Sequence, residues 1–329
     1  MASTTTPAAS PSWRQRIVGG AAIRVESLLV LVVLCAVMAA LSSAFLSVSN
    51  VLNILLSTSV FGVLAIGMTF VICSAGIDLS VGSILALSGV VGAMLTSNLD
   101  LPWWVGIAGC LAMGAFTGAV NGFLITEGAI PPFIVTLGML GVARGFALVL
   151  SNGISIYGLP PQMVWLGQGR PFGVPTPVVI LLLTAAGAHI LLTHTRFGVY
   201  AQVIGDNEGA ARAMGVRVER QKVLLYTLSG LLSGLAGLLF AARINSGEPT
   251  AGISYELTAI TATILGGTNL FGGRGSVLGT LIGALIMGVL QNGLNLLAVR
   301  PFYQQIAIGA VLILAVWLDR INSSQGWRR

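Results

Sequence analysis

The side chains that could do chemistry in this chain are few, and their spacing matches none of the usual reactive sets. His189 and His194 are five residues apart, with no glutamate placed as in the HExxH metal motif. No serine stands in a GxSxG frame, which a nucleophile elbow requires. The single lysine, Lys222, follows Arg220 and Gln221, so the chain lacks the Gly-Lys-Ser/Thr of a Walker A loop. The sequence therefore predicts no catalytic site, metal site or cofactor, and it assigns any ATP-driven step to another polypeptide.

One polar connection, within residues 195–222, has the signature of a short helix. Asp206 or Asn207 can cap its start, alanines favour its body, and Gly215 suits its end. Two interpretations are open: a solvated tip between two membrane spans, or a rigid projection that docks into a cytoplasmic partner. The residues of interest here are Gly205, Asp206, Asn207, Glu208, Ala210, Ala211, Arg212 and Gly215.

Other polar residues lie within or beside apolar runs, where an unsatisfied polar group is costly. Asp78 either caps a helix that starts at Leu79 or belongs to a gate. Arg144 either reaches the interface or an acidic partner, or it lines a solute path. The amides either bond between helices or line an entrance near the outer ends of spans. These amides are Asn121, Gln291, Asn292 and Asn295.

The composition excludes a soluble protein. Among 329 residues only 8% are charged, whereas a soluble domain has about 25%, and 55% are hydrophobic. Cys35, Cys73 and Cys110 lie singly in apolar runs without a CxxC pair, so no redox motif is indicated. The basic excess lies between apolar runs, which is typical of a membrane protein and does not indicate nucleic-acid binding.

The apolar runs predict an all-α polytopic membrane protein with about ten transmembrane helices, since a crossing helix needs about 20 apolar residues. The eighth run is short and rich in Thr and Gly, which favours a broken helix. Glycines four residues apart, such as Gly114 and Gly118 or Gly230 and Gly234, indicate close helix packing. The ten runs are 27–46, 52–73, 77–97, 103–125, 132–151, 175–194, 223–243, 257–273, 276–297 and 302–319.

The distribution of basic residues predicts that both termini are cytoplasmic. With that orientation, the arginines of the N-terminal region, of the 195–222 loop and of the C-terminus face inward, and only Arg170, Arg243 and Arg300 face outward. Residues 1–25 are predicted to form a disordered cytoplasmic tail, because the stretch is polar and its apolar run begins too late for a signal peptide. Residues 26–320 form a single transmembrane domain, and 321–329 form a short cytoplasmic tail.

Four stretches of the chain, taken together, resemble the ribose-type permeases of bacterial ABC sugar importers. In order and spacing they cover roughly residues 50–300. They are the stretch from Tyr200 to Arg243, the segment Gly76–Ser83, the segment Thr136–Gly145, and the segment Gly266–Ser276 with its continuation to Gln291–Asn295.

The resemblance implies about ten helices per subunit, a second permease subunit that is expected to be an identical copy, an extracytoplasmic sugar-binding protein and a cytoplasmic ATP-binding-cassette ATPase. The loop from Gly205 to Gly215 then corresponds to the loop that couples permease to ATPase. In importers generally this loop has Glu-Ala-Ala, three residues, then Gly. Ala210, Ala211 and Gly215 match that pattern, whereas Gly209 stands at the glutamate position.

The sequence thus predicts a permease of the bacterial cytoplasmic membrane that imports a monosaccharide and catalyses no reaction itself. We expect a bulky charged substitution at Ala211 to uncouple ATP hydrolysis from uptake while the fold stays intact. The alternative is a secondary carrier driven by protons or sodium, which would need ionisable groups in mid-membrane. A membrane enzyme or a channel are further alternatives.

Overall fold

The structure is a computed structural model that describes residues 25–326. The predicted N-terminal tail, except for its last residue, and residues 327–329 lie outside these residues. Within the described range the chain is helical almost throughout. Its helices are α1 Val25–Leu41, α2 Val48–Cys73, α3 Val81–Ala93, α4 Trp103–Thr126, α5 Pro132–Ser151, α6 Pro161–Gln168, α7 Thr176–His194, α8 Arg196–Asp206, α9 Glu208–Ala213, α10 Val218–Ile244, α11 Tyr255–Leu265, α12 Val277–Leu296 and α13 Pro301–Gly326.

Seven of the helices between residues 25 and 326 are long and apolar enough to cross a membrane. They are α2, α3 with the π-helical turn Met94–Asn98 that extends it, α4, α5, α7, α10 and α12. Three further helices are apolar but shorter, namely Glu26–Leu41, Tyr255–Leu265 and the Pro301–Trp317 part of α13. The ten predicted apolar runs therefore correspond to seven full-length helices and three short ones.

The longest apolar helices form the centre of the bundle. From Thr58 to Cys73 every side chain of α2 is buried, which is expected of a helix that is apolar on all sides and surrounded by others. Helix α10 packs against α4 through glycines, as their spacing predicts. A Cβ atom added to Gly114 would lie 2.8 Å from the Gly234 Cα, so the two backbones are in direct contact.

The run predicted at 257–273 contains only a half-length helix. Helix α11 has 11 residues, about 16 Å of rise, against about 30 Å for the hydrocarbon core. It ends at a turn in which the Gly267 amide donates to Ile264 O at 2.8 Å and Gly267 has a φ of +92°. Its Tyr255 ring meets Phe61, in the middle of α2, at 6.4 Å between centroids. The helix thus begins halfway along its neighbour.

The chain reaches α11 through a largely non-helical segment, residues 245–254, which we call the unwound segment. It begins with the strand Ser246–Gly247, which pairs antiparallel with Ile156–Tyr157 in the register Ile156 to Gly247. It then passes close to the first turn of α3, where the Gly252 Cβ position is 2.7 Å from Gly82 O. Non-helical backbone at this depth must be enclosed by protein or line a cavity.

Candidate functional site

The predicted short helix between residues 205 and 215 is present as α9. Asn207, in extended backbone conformation, caps it, because its Oδ1 accepts the Ala210 amide at 2.9 Å. At the other end Gly215 has a φ of +83°, and the Val216 amide donates to Ala211 O at 3.1 Å. The local helix signals are confirmed, and of the two possible caps Asn207 is the one used. We call residues 195–222 the hairpin.

The hairpin has a small hydrophobic core of its own. Ile204, Ala211 and Val218 are buried together, with Val203 and Val216 packed against them. The Ala211 side chain is 0% exposed. An arginine at this position would have to open the cluster, so Ala211→Arg is no longer expected to leave the fold intact. The prediction that it would uncouple transport without a structural change is therefore corrected.

The outward face of the hairpin carries a large apolar side chain. Met214 follows α9 and is 68% exposed, and Ala210 and Ala213 are exposed beside it. A groove of about 360 Å³ lies between the hairpin and the α4–α5 connection. Its lining includes Ile130, Pro131, Pro132, Arg212, Glu219 and Lys222. The hairpin thus offers a partner protein both an apolar exposed face on α9 and a concave surface.

Ion pairs hold α9 to the start of α10. The Glu208 carboxylate accepts from Lys222 Nζ at 2.6 Å and from Arg212 Nη2 at 3.2 Å, and Arg212 also pairs with Glu219. The hydrogen bond from Lys222 is the largest cause that lowers the pKa of Glu208 below its ordinary value. The hairpin thus has a fixed orientation relative to a membrane-spanning helix.

The Glu208 pairs should weaken in acid. Because the pKa of Glu208 is lowered in the folded chain, its contribution to stability is present above the ordinary glutamate pKa and is lost as pH falls through the lowered value. We expect Glu208→Gln to lower the thermal midpoint at pH 7 by on the order of 1–2 °C, since exposed ion pairs are weak. Thermal unfolding in detergent measures this. A difference that stays the same in acid contradicts the prediction.

Asp78 is completely buried, but it does not cap a helix that starts at Leu79. Helix α3 begins at Val81, and Ser80 precedes it without a side-chain capping bond. Asp78 Oδ1 instead accepts from the Ser80 amide at 3.0 Å and from Ser80 Oγ at 2.6 Å. Its Oδ2 accepts from Ser229 Oγ at 2.9 Å. The carboxylate therefore joins the α2–α3 turn to α10.

Asn121 belongs to this same cluster. Its Nδ2 donates to Ser80 Oγ at 2.9 Å, and within the described part of the chain its buried Oδ1 has no partner. The cluster is at the end of the bundle near the hairpin, because the α2–α3 turn follows Cys73, against which Gly205 packs. Asn121 is thus far along the bundle from Asn292 and Asn295, and its predicted grouping with them near the outer ends of spans is wrong.

Arg144 bonds to backbone carbonyls and forms no ion pair with the acidic residues of the described chain. Its Nη1 donates to Pro249 O at 2.6 Å and to Ala251 O at 2.8 Å. Both carbonyls belong to the unwound segment, where no helix satisfies them. The guanidinium therefore fixes that segment against α5.

The amide of Asn292 is used in helix packing. Asn292 Nδ2 donates to Asn50 Oδ1 at 2.9 Å, and Asn50 Nδ2 donates back to Asn292 Oδ1 at 3.0 Å, which joins α12 to α2. Asn295 Oδ1 accepts from Gln304 Nε2 at 2.8 Å. Gln291 is half-buried, and no hydrogen bond of its side chain is seen among the described residues. Of these amides, Gln291 is the one left available to a solute.

The reciprocal amide pair gives a stability prediction. Asn292→Leu removes both hydrogen bonds and leaves the buried Asn50 amide without its partner, which should cost about 1 kcal/mol. Asn50→Leu combined with Asn292→Leu should cost less than the sum of the single changes, because neither side-chain amide is then left without the other, while the loss of the donor to Phe45 O is common to both Asn50 variants. Thermal unfolding in detergent measures the cycle. Additive losses would show that the pair is not coupled.

Three features of this region were not predicted from the sequence. Asn50 is one of several polar residues at the start of an apolar run, beside Ser49 and Asn53, and nothing in the sequence distinguishes it from them. Met214 is exposed only because the hairpin folds with Ala211 inside. The unwound segment is indicated by the sequence, since Pro249 and Gly252 disfavour a helix just before the short eighth run. In the part of the chain that the structure describes, no group of three His, Cys, Asp or Glu residues could hold a metal ion.

Comparison with known proteins assigns this architecture to a family. Residues 50–316 match the family described as "Branched-chain amino acid transport system / permease component". The chain is 47% identical to the ribose import permease protein RbsC of Escherichia coli (strain K12), over 89% of this chain and 92% of the relative. Identity to the protein of the same name from Bacillus subtilis (strain 168) is 46%, over 89% and 92%. It is 38% to the D-allose transport system permease protein AlsC of Escherichia coli (strain K12), over 89% and 90%. No solved structure matches the chain.

These relatives confirm the resemblance to ribose-type permeases that the sequence motifs indicated. They are named as transport components, which agrees with the prediction that the chain is not an enzyme. The match covers both the bundle and the hairpin, from Asn50 at the start of α2 to the apolar part of α13. The chain therefore belongs to the family of membrane permease components described for the branched-chain amino acid transport system.

Proposed function

We propose that this chain is the membrane-spanning permease subunit of an ATP-driven importer, and that it carries a monosaccharide of the ribose type across the bacterial cytoplasmic membrane. The identity of 46–47% to ribose import permeases supports a ribose-type sugar as the transported solute. The hairpin supports the coupling of transport to ATP hydrolysis by another subunit. It is a rigid projection with its own core and an exposed Met214, and it suits docking to a separate ATPase subunit. This hairpin is the single observation on which the proposal depends.

In this proposal the hairpin end of the bundle faces the cytoplasm, together with both termini. The basic residues support that orientation, because the hairpin contains Arg196, Arg212, Arg217, Arg220 and Lys222. Ten segments then enter the membrane, since α1, α11 and α13 join the seven long helices. Helix α11 completes its crossing through the unwound segment. A sugar-binding protein delivers the solute at the opposite end, and a second copy of the chain completes the permease.

The solute path is proposed to run beside the unwound segment. Neutral sugars need hydrogen-bond donors and acceptors, and a discontinuous helix near mid-membrane exposes backbone groups of both kinds. Arg144 holds this segment in place. Gln291, at the far end of α12, supplies a side-chain amide for the entrance. Asn292 and Asn295 are engaged in helix packing and are assigned to the architecture of that entrance. Asp78 and Asn121, beside the hairpin, are assigned to the inner gate.

Gentle purification of the tagged chain from its native membranes tests the proposal. We expect a polypeptide with a Walker A sequence to copurify, and cells to take up labelled D-ribose in a manner that requires ATP. An uncoupler applied while ATP is held constant should leave uptake unchanged. If the chain is isolated alone and uptake fails with the uncoupler but survives ATP depletion, an ion-coupled carrier replaces the importer.

A further inference from the structure

Besides the contact of the Phe197 ring with Phe70 of α2, the hairpin meets the rest of the bundle through backbone atoms. Gly205, in the last turn of α8, lies directly on the C-terminal end of α2. A Cβ atom at this position would be 2.9 Å from the Cys73 carbonyl carbon, 2.6 Å from the Gly273 nitrogen, and closer still to Cys73 O. Such an approach is possible only without a side chain, because real Cβ atoms do not come so near to backbone.

The third partner in this contact is the turn that joins α11 to α12. The Gly273 amide donates to Cys73 O at 3.0 Å, so α2 and the turn share the carbonyl on which Gly205 rests. Gly272 and Gly273 have φ values of +90° and +80°, which turn the chain back towards α8. The Cβ position of Gly273 is 3.4 Å from Asp206 Cβ. One tight backbone junction is thus formed by residues 73, 205–206 and 272–273.

The turn in this junction belongs to the part of the bundle that is not a full-length helix. Helix α11 connects the turn to the unwound segment, which Arg144 fixes through two hydrogen bonds. Because α11 has no helical continuation at either end, it can slide against its packed neighbours as a rigid unit. Backbone hydrogen bonds connect the turn to the end of α11, since the Gly272 amide donates to Asn269 O at 3.0 Å and the Thr268 amide donates to Thr263 O at 3.2 Å. Displacement of the hairpin is therefore passed to α11 through a hydrogen-bonded connection.

We infer that Gly205 is a positioning residue for transport, and that its junction with Cys73 and Gly273 passes the movement of the hairpin to the half-length helix α11. This inference rests on the proposed function, because it takes the hairpin as the element that the ATPase moves. It adds the contact through which the movement enters the membrane domain, and it identifies α11 as the helix that moves there. In this arrangement the hairpin and the 272–273 turn move together as one body.

Substitution of Gly205 by alanine tests the junction. The added methyl group must separate α8 from the Cys73 carbonyl by about 1 Å or more, and we expect D-ribose uptake to fall by about tenfold or more. The exposed outer face of the hairpin is unchanged, so the ATPase should still copurify and hydrolyse ATP. Gly187→Ala, in α7 and outside the hairpin, is the matched control, because its Cβ would meet no atom within 4 Å. Uptake by Gly205→Ala at the level of Gly187→Ala would overturn the inference.

A disulfide provides a second test that does not depend on how well Gly205→Ala folds. In a background where Cys35, Cys73 and Cys110 are alanine, Asp206→Cys with Gly273→Cys places two thiols within bonding reach. If the junction moves as one body, oxidation should cross-link the pair and uptake should continue. The strain of a cysteine at the positive φ of Gly273 is the same in the reduced and oxidised forms, so the comparison is between these two forms of one variant. Loss of uptake on oxidation, restored by reduction, would show that the surfaces slide, and failure to cross-link would contradict the contact itself. Absence of an ATPase from the purified wild type would instead contradict the proposed function.

Discussion

Met214→Glu is expected to abolish stable association between the permease and its ATPase subunit. Met214 is the large apolar side chain at the tip of the hairpin, and 68% of it is exposed to solvent where it contributes little to the fold. Apolar anchors at the centre of an interface cost about 2 kcal/mol or more when lost, which corresponds to roughly thirtyfold weaker binding. A carboxylate at the same position also has to be desolvated on docking. We therefore expect the ATPase to be missing from the purified variant and ATP-dependent D-ribose uptake to fall with it.

Met214→Leu is the matched control, since it keeps an apolar side chain of similar volume and should retain the ATPase. Ala211→Arg does not serve as a docking probe, because Ala211 is 0% exposed and the change disrupts the hairpin core. Thermal unfolding of the Met214→Glu permease should match that of wild type in the absence of the ATPase. Copurification of the ATPase at wild-type level with Met214→Glu would exclude the tip as the docking site.

The hairpin shows which features of the fold local sequence rules can predict. Asn207 and Gly215 act within a few residues of themselves, so capping and termination of α9 follow from residue type. The burial of Ala211 does not follow in this way. It depends on Ile204 and Val218, which come from two other helices, and their angle to α9 is not encoded in any short stretch. Sequence reasoning therefore located the hairpin correctly but selected a buried residue as its contact surface.

For the polar residues of the spans, too, the sequence indicates that a partner is needed, but the partner itself is set by tertiary packing. That Arg144 needs partners follows from its position in an apolar helix. The identity of those partners, carbonyls more than a hundred residues away, could not be predicted, because Pro249 and Gly252 indicate a helix break but not the helix against which it packs. Asn292 was expected to bond between helices, and it does, but its partner Asn50 gave almost no signal. Asn121 was grouped with the wrong end of the bundle because residue type alone does not specify depth.

Arg144→Leu is expected to abolish uptake while the ATPase remains bound. The substitution removes the donor to Pro249 O and Ala251 O, and each buried carbonyl left without a partner costs about 1–3 kcal/mol. The unwound segment must then rearrange, and helix α11, which begins at its end, loses its fixed starting position. The hairpin is far along the chain from these contacts, so docking of the ATPase should be unaffected.

Two matched variants separate the role of Arg144 from a general need for charge. Arg144→Lys keeps a single nitrogen that can donate to two carbonyls, as Nη1 does, but its side chain is shorter, so partial uptake is expected. Arg170→Leu removes an exposed arginine from the 152–174 connection and should transport as wild type does. Labelled D-ribose uptake and ATPase copurification are measured for all three. Wild-type uptake by Arg144→Leu would mean that the unwound segment keeps its conformation without the guanidinium, and the proposed solute path would then lose its main structural support.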